Sequence, residues 1–168
     1  MKIKIEKRCL DNSEVDALVE EIKKFPNPLT GKKTWRSLKE VYVLKNDRKL
    51  IGVCGVVKLN DWLKLGPLVV FEKYHHQGFG KIIFSSIIKD YPHNNLYVGS
   101  RNPLVAKIAL GYGFNEISSI WKLPRVIKFY LIKNIIGNLS LGSIKELIRK
   151  QSVKEGPYRN FLKRRGPL

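Results

Sequence analysis

Acidic side chains are scarce in this 168-residue chain: 14 Asp and Glu stand against 32 Lys and Arg, a formal charge of +18. Cysteine is nearly absent. Cys9 and Cys54 are too few for a disulfide framework, and neither sits in a metal-ligand spacing. Three histidines, two of them the adjacent His75 and His76, do not supply a metal site either, because neighbouring residues rarely share one ion. No apolar run approaches the roughly 18–20 residues of a membrane span. The first ten residues alternate Lys with Ile and then reach Glu6, Lys7 and Arg8, without the apolar core of a secretory signal. A cytoplasmic protein is the expectation. Internal repeats and low-complexity tracts are also lacking.

What is present is a 43% hydrophobic composition, enough for a packed core in a length typical of one domain. The positive charge is unevenly spread. Residues 1–120 carry 20 basic and 12 acidic side chains, and residues 121–168 carry 12 and 2. A field of this sign attracts phosphate-bearing partners, whether nucleic acid, an anionic cofactor or an acidic membrane surface. An ordinary solvated basic face is the bland alternative.

The hydrophobic pattern predicts an ordered series of elements. Lys2–Glu6 alternates as a short edge strand does, and Asp11-Asn12-Ser13 offers N-cap chemistry before Val15, Leu18, Val19, Ile22 and Phe25 at helical spacing. Residues 26–36 read as a basic loop. Val41–Leu44 and Leu50–Leu59 read as a hairpin about Asn46-Asp47, and Trp62–Phe71 as a third strand interrupted by Gly66-Pro67. A helix carrying Ile82, Ile83, Phe84, Ile87 and Ile88 ends at Tyr91-Pro92. Asn95–Gly99 is a strand, Asn102–Gly111 a short helix with Pro103 in its first turn, and Phe114–Ile120 a final strand. The class is mixed α/β (α+β), a twisted mixed sheet flanked by helices, with residues 1–120 as the domain. Residues 121–168 are expected as a basic, partly helical extension packed on the core or trailing from it.

The most informative stretch runs from strand to glycine-rich loop to helix: His75-His76-Gln77-Gly78-Phe79-Gly80-Lys81. Successive backbone N–H groups in such a loop form an anion-binding concavity, which the helix N-terminus and Lys81 reinforce. Glycine lets a phosphate approach the backbone closely. A dinucleotide fingerprint is excluded because its third glycine position holds Ile83, and a Walker loop because no Gly-Lys-Ser/Thr is present.

This segment resembles the acetyl-coenzyme A motif Q/R-x-x-G-x-G/A of the GNAT (GCN5-related N-acetyltransferase) superfamily. Leu68-Val69-Val70 resembles that family's fourth strand, Tyr74 the aromatic before the motif, and Leu96-Tyr97-Val98 the fifth strand. Asn102, followed eleven residues later by the pair Gly113-Phe114, repeats a second family spacing. The resemblance covers roughly residues 1–120. It implies a GNAT-like acyl-CoA N-acyltransferase fold and transfer of an acetyl group from acetyl-coenzyme A to a primary amine by direct attack. Backbone groups of Leu68, Val69 and Val70 would pair with the pantetheine arm, with the Val70 N–H polarising the thioester carbonyl. Cofactor contacts are implied for His75, His76, Gln77, Gly78, Phe79, Gly80 and Lys81 at the pyrophosphate, and for Asn102 near the thiol end.

Three departures from the family pattern stand out. His75 replaces the usual Gln or Arg. Ala109 fills the slot where the family often places a Tyr as acid for the leaving thiolate, and Tyr112, three positions along, is expected on another face of the helix. No base is evident: Asp61 is the nearest upstream carboxylate and the candidate, against a solvated turn residue after Asn60, with Glu40 behind it. Cys54, mid-strand among valines, reads as a buried small hydrophobe.

The C-terminal stretch leaves alternatives open. Val126–Ile136 mixes apolar residues with Lys128 and Lys133, suited to packing over the core or a dimer contact, or to lying on an anionic bilayer. The run Arg149, Lys150, Lys154, Arg159, Lys163, Arg164 and Arg165 suits contact with a nucleic-acid backbone through residues 149–168, or a solvated end. A catalytically weak module that binds nucleic acid is therefore the alternative to an acetyltransferase.

Overall fold

A computed structural model describes residues 3–24, 31–47, 49–137 and 157–165. A seven-stranded sheet has the order β1-β2-β3-β4-β5-β7-β6, built from β1 (Ile3–Arg8), β2 (Val41–Asn46), β3 (Lys49–Leu59), β4 (Trp62–Val70), β5 (Asn95–Ser100), β6 (Asn115–Ile117) and β7 (Arg159–Lys163). Among the described strands only the β4–β5 pair is parallel. Helices α1 (Asn12–Lys23), α2 (Lys32–Ser37), α3 (Phe79–Asp90), α4 (Pro103–Gly111) and α5 (Arg125–Gly137) cover its faces. This is the expected mixed α+β class, with helices on both faces of a twisted sheet.

Local chemistry accounts for the element ends. Asp11 caps α1 by accepting the Glu14 N–H at 2.8 Å while the Glu14 carboxylate accepts the Asp11 N–H at 3.1 Å, a reciprocal capping box. Glu14 also takes two hydrogen bonds from Arg8 and an ion pair from Lys45, which tie β1 and β2 to the helix start. Alternation along the strands sorts the core into two faces. Beneath α3 and α4 lie Leu44, Ile51, Leu63, Leu65, Phe84, Leu96, Val98 and Phe161. On the other face Val15, Leu18, Trp35, Val41, Val43 and Val53 pack under α1 and α2, and Trp62, Tyr97, Leu123, Ile127 and Leu162 under α5.

The structure corrects three expectations. Part of the basic loop expected at 26–36 is helix: α2 takes Lys32–Ser37 and its Trp35 is fully buried, while residues 26–30 lie outside the described residues. The strand expected at Phe114–Ile120 shortens to Asn115–Ile117 and is not the last. Part of the segment expected as a partly helical extension, packed on the core or trailing from it, is instead a strand of the sheet, where β7 inserts between β5 and β6 with the pairs Val98↔Phe161 and Glu116↔Phe161. Arg159 grips Glu116 with two hydrogen bonds, and the Lys163 ammonium donates to the Tyr112 carbonyl at 2.8 Å. Two cations of the proposed nucleic-acid run are thus engaged within the fold; Arg149, Lys150 and Lys154 lie outside the described residues. Helix α5 packs Ile127 on the core and turns Phe129 and Ile132 outward.

Two predictions follow from this packing. Phe161→Ala should destabilise the protein by about 3–5 kcal/mol, as for other fully buried Phe side chains, whereas a trailing end would give no effect in urea denaturation. Burial pushes the Glu14 carboxyl upward, but hydrogen bonds from Arg8, Lys45 and the Asp11 N–H outweigh it and hold the group at about 2 against 4.5. A depressed folded value stabilises above the unfolded value and is lost as pH falls below it. Glu14→Gln should therefore flatten the loss of stability between roughly pH 4.5 and 2, read from urea midpoints across that range.

Candidate active site

The site begins where β4 and β5 stop pairing. Their register runs from Trp62↔Asn95 to Leu65↔Val98 and ends there, although β4 continues to Val70 and β5 to Ser100. The cause is local. The β3–β4 register shifts between Cys54 and Val56, Gly66 takes φ +117°, a conformation side chains rarely adopt, and Pro67 has no N–H to donate. Beyond this bulge Phe71 N bonds Ile51 O at 2.9 Å. By the two-residue period of an antiparallel ladder, the backbone groups of Leu68 and Val70 then point away from β3, into the opening.

After β4 the chain makes a short turn at Glu72–Tyr74 and enters the loop before α3. Two contacts fix this loop. Glu21 of α1 accepts the Glu72 N–H at 2.7 Å, and the His75 ring nitrogen Nε2 lies 2.8 Å from the Val70 carbonyl oxygen. Burial pushes the Glu21 carboxyl up, yet the Glu72 N–H and Lys24 hold it below its ordinary value, so it stays an anion and keeps the contact. His76 (φ 61°) and Gly78 (φ 78°) take left-handed conformations that turn the chain into α3. Gly78 caps α3 with no side-chain acceptor, so the first N–H groups of the helix face the loop concavity unsatisfied by any side-chain cap. On the far wall the Asn102 side chain caps α4 by accepting the Leu104 N–H at 2.8 Å.

Between α3, α4 and the end of β4 lies a cavity of about 740 Å³. Its walls are apolar, with Leu68 and Val70 from β4, Phe79 from α3, and Val105 and Ile108 from α4. Its mouth carries Lys81, Lys107, His75 and His76. A Cβ on Gly80 would enter this cavity, 3.7 Å from Ile108 Cδ1 and 3.8 Å from both Leu68 Cδ2 and Val70 Cγ2. The arrangement suits a long ligand with an apolar or amide-bearing arm and a phosphate-bearing end.

Of the residues expected from sequence, Leu68, Val70, His75, His76, Gly78, Phe79, Gly80, Lys81 and Asn102 converge on this cavity. Val69 supplies backbone between two of them while its side chain packs in the opposite core. Gln77 is exposed and bonds the Lys73 carbonyl at 3.3 Å. Asp61 is not brought to the site. It sits exposed in the β3–β4 turn, beside the Leu59↔Trp62 pair, and its carbonyl accepts from the Asn95 side chain. Seven residues of extended strand, about 23 Å, separate it from Leu68. Glu40 is taken up by Lys7 and by a short hydrogen bond from Tyr91. Ala109 is fully buried against the sheet. Tyr112, expected on another face, lines the cavity and stacks on Phe84 with ring centres 6.0 Å apart. The α4 wall of Val105, Lys107 and Ile108 escaped the sequence reading, although its one-turn spacing was the available signal. Among the described residues no group of three or more His, Cys, Asp or Glu is placed to hold a metal, and no helix is long and apolar enough to cross a membrane.

The sequence matches no model of a known family and no curated protein. Its structure does have solved counterparts. The ribosomal-protein-S18-alanine N-acetyltransferase of Escherichia coli aligns over 96% of this chain and 91% of its own, with TM-score 0.62 and 15% identity. An acetyltransferase of the GNAT family from Staphylococcus aureus aligns over 96% and 98%, with TM-score 0.65 and 16% identity. N-acetylglutamate synthase from Neisseria gonorrhoeae, solved with coenzyme A and N-acetyl-glutamate, aligns over 99% of this chain and 36% of its own, with TM-score 0.69 and 16% identity. The chain has the GNAT acyltransferase fold.

The thiols test the packing beneath the site. Cys54 is fully buried next to the bulge, and burial pushes its thiol up to about 12, while Cys9 is exposed. A disulfide-exchange reagent should titrate one thiol promptly in the native protein and the second only after denaturation. Two prompt thiols would contradict the packing at β3.

Proposed function

We propose that the protein is an acetyl-coenzyme A-dependent N-acetyltransferase acting on a primary amine. The observation that carries this reading is the conjunction at one cavity of an unpaired β4 edge, an uncapped α3 N-terminus and a basic mouth. Coenzyme A fits these residues chemically. Its pantetheine amides match the outward backbone groups of Leu68 and the Val70 N–H, as a peptide strand would match a sheet edge. Its pyrophosphate matches the N–H groups from His76 to Lys81 and the helix N-terminus. Lys81 and Lys107 add charge where the phosphates would lie.

In the reaction the neutral acceptor nitrogen attacks the thioester carbonyl carbon, a C–N bond forms and the C–S bond breaks; the nitrogen gives up one proton and the departing sulfur takes one up. The chain's own contribution is electrostatic and positional. The Val70 N–H, aimed into the opening, is suited to stabilise oxygen charge as the carbonyl becomes tetrahedral; removing one such donor commonly costs about 10²–10³ in rate. His75 holds the Val70 carbonyl and so fixes the peptide beside which the thioester would lie. Apolar walls exclude water from that region.

Calorimetric titration with coenzyme A and acetyl-coenzyme A tests this reading. Binding is expected for the parent protein and should be lost in Gly80→Glu, which puts a side chain and a negative charge into the cavity. Unchanged affinity in that variant, or no binding by the folded parent, would refute the site.

A further inference from the structure

The opening between β4 and β5 has two sides. The cavity occupies the α3–α4 side. On the other side, beneath α5, a second polar cluster faces the same break in the sheet. Lys64 and Tyr97 are register partners on adjacent parallel strands, in the turn of pairing just before Leu65↔Val98, and both side chains lie on the α5 face. The Lys64 ammonium donates to the Gly66 carbonyl at 3.1 Å and stands 5.5 Å from the centre of the Tyr130 ring. Tyr97 donates to Asn160 Oδ1 at 2.9 Å and shares a hydrogen bond with Tyr158. Gly99 makes room for this: a Cβ there would overlap the hydroxyls of Tyr158 and Tyr97.

The charge balance of this cluster is one-sided. An ammonium has three donors, and the structure gives Lys64 one carbonyl acceptor and one ring face. Among the described residues no Asp or Glu forms an ion pair with Lys64. Burial lowers this ammonium to about 8, the expected response of a cation withdrawn from water without a counter-ion. Burial also pushes Tyr97, Tyr130 and Tyr158 upward, so all three phenols stay neutral. Tyr97 gives its proton to Asn160 and takes that of Tyr158, which leaves the Tyr130 hydroxyl to donate to a ligand. Arg101 adds a second positive charge beside Tyr158. A half-buried cation with spare donors, set against the Tyr130 ring, is complementary to a carboxylate, whose two oxygens accept from several donors at once.

We propose that this cluster binds the carboxylate of the acceptor, so that the acetylated substrate is a small amine bearing a carboxylate, of the amino-acid class. Lys64 makes the ion pair, Tyr130 supplies a hydroxyl donor, and the acceptor's amine reaches the β4–β5 opening from the α5 side. This rests on the acetyltransferase reading and deepens it.

The test has a turnover arm and a binding arm. Glycine, alanine, aspartate and glutamate are compared with glycinamide, amino-acid methyl esters and phosphoethanolamine as acceptors, following coenzyme A release. At least one free acid should exceed its own amide or ester tenfold or more in kcat/KM. Lys64→Met should raise KM for that acid ten- to a hundredfold, leave coenzyme A affinity unchanged, and narrow the gap between acid and amide; Lys64→Arg should restore part of it. In the binding arm, the N-acetylated acids and glutarate are titrated into the coenzyme A complex, where binding should occur in the parent and vanish in Lys64→Met. Equal use of acids and amides, preference for phosphoethanolamine, or no binding of any carboxylate to the coenzyme A complex overturns the proposal. So does a fall in kcat for Lys64→Met with KM unchanged, which would make Lys64 a proton carrier. Failure of coenzyme A itself to bind the parent would instead overturn the acetyltransferase reading at its first step.

Discussion

Everything at the candidate site depends on β4 releasing β5 after Leu65. A parallel pair with helices on both faces is ordinarily closed, its backbone groups satisfied along the whole length. Here Gly66 and Pro67 oppose Gly55 across a bulge, and the ladder to β5 ends at Leu65↔Val98. The released half of β4 remains anchored on one side only, through β3 and the Phe71–Ile51 bond. Its other side holds polar backbone that needs partners. His75 meets the Val70 carbonyl, and the remaining groups open onto the cavity beside α4. One sequence feature, a Gly-Pro pair in a strand, therefore creates both the unsatisfied backbone and the space beside it.

The break also demands reinforcement elsewhere, and β7 supplies it. On its opposite edge β5 pairs with β7 along Leu96–Ser100, so only the edge that faces β4 is released. Phe161, fully buried, fills the α3–α4 face of the core, while Leu162 and Asn160 join Trp62 and Tyr97 on the α5 face. The opening is therefore bordered by strands from distant parts of the sequence. A strand contributed from residues 159–163 makes the site depend on closing a long chain segment, with the entropic cost that entails.

That dependence explains what could be read in advance. The helices α1, α3 and α4, the β2–β3 hairpin and the glycine loop are each specified within about a dozen residues: Asp11 and Glu14 at one helix start, Gly78 at another, Asn102 and Pro103 at a third. Local patterns of that kind survive in the sequence. Strand β7 does not announce itself, since Arg159-Asn160-Phe161-Leu162-Lys163 has charges at both ends and a short apolar centre, and its strand character comes from two neighbours it meets only in the fold. Asp61 misled for the converse reason. It is near Leu68 along the chain, but extended backbone carries the two apart by most of a strand's length. Tyr112 reaches the cavity because its N–H still closes the helical bond to the Ile108 carbonyl and it lies one turn beyond Ile108, on the wall that Ile108 forms. The residues of the second cluster, Lys64, Tyr97, Tyr130 and Tyr158, come from four elements and had no shared signal in the sequence.

Charge separates the two sides of the opening in a functionally consistent way. Of the few carboxylates, Glu14, Glu40 and Glu116 are consumed by ion pairs at the far edges of the sheet, with Arg8 and Lys45, Lys7, and Arg159. Glu21 is spent on the loop backbone. Among the described residues no carboxylate forms an ion pair with Lys81, Lys107 or Lys64. Exposed Lys81 and Lys107 act on a polyanion through water, where salt screens them within about 10 Å at 0.1 M. Lys64 acts at short range in a partly dry setting, where screening is weak and geometry decides. Under the proposed function, these two environments would make coenzyme binding weaken at high salt while the preference among acceptors is kept.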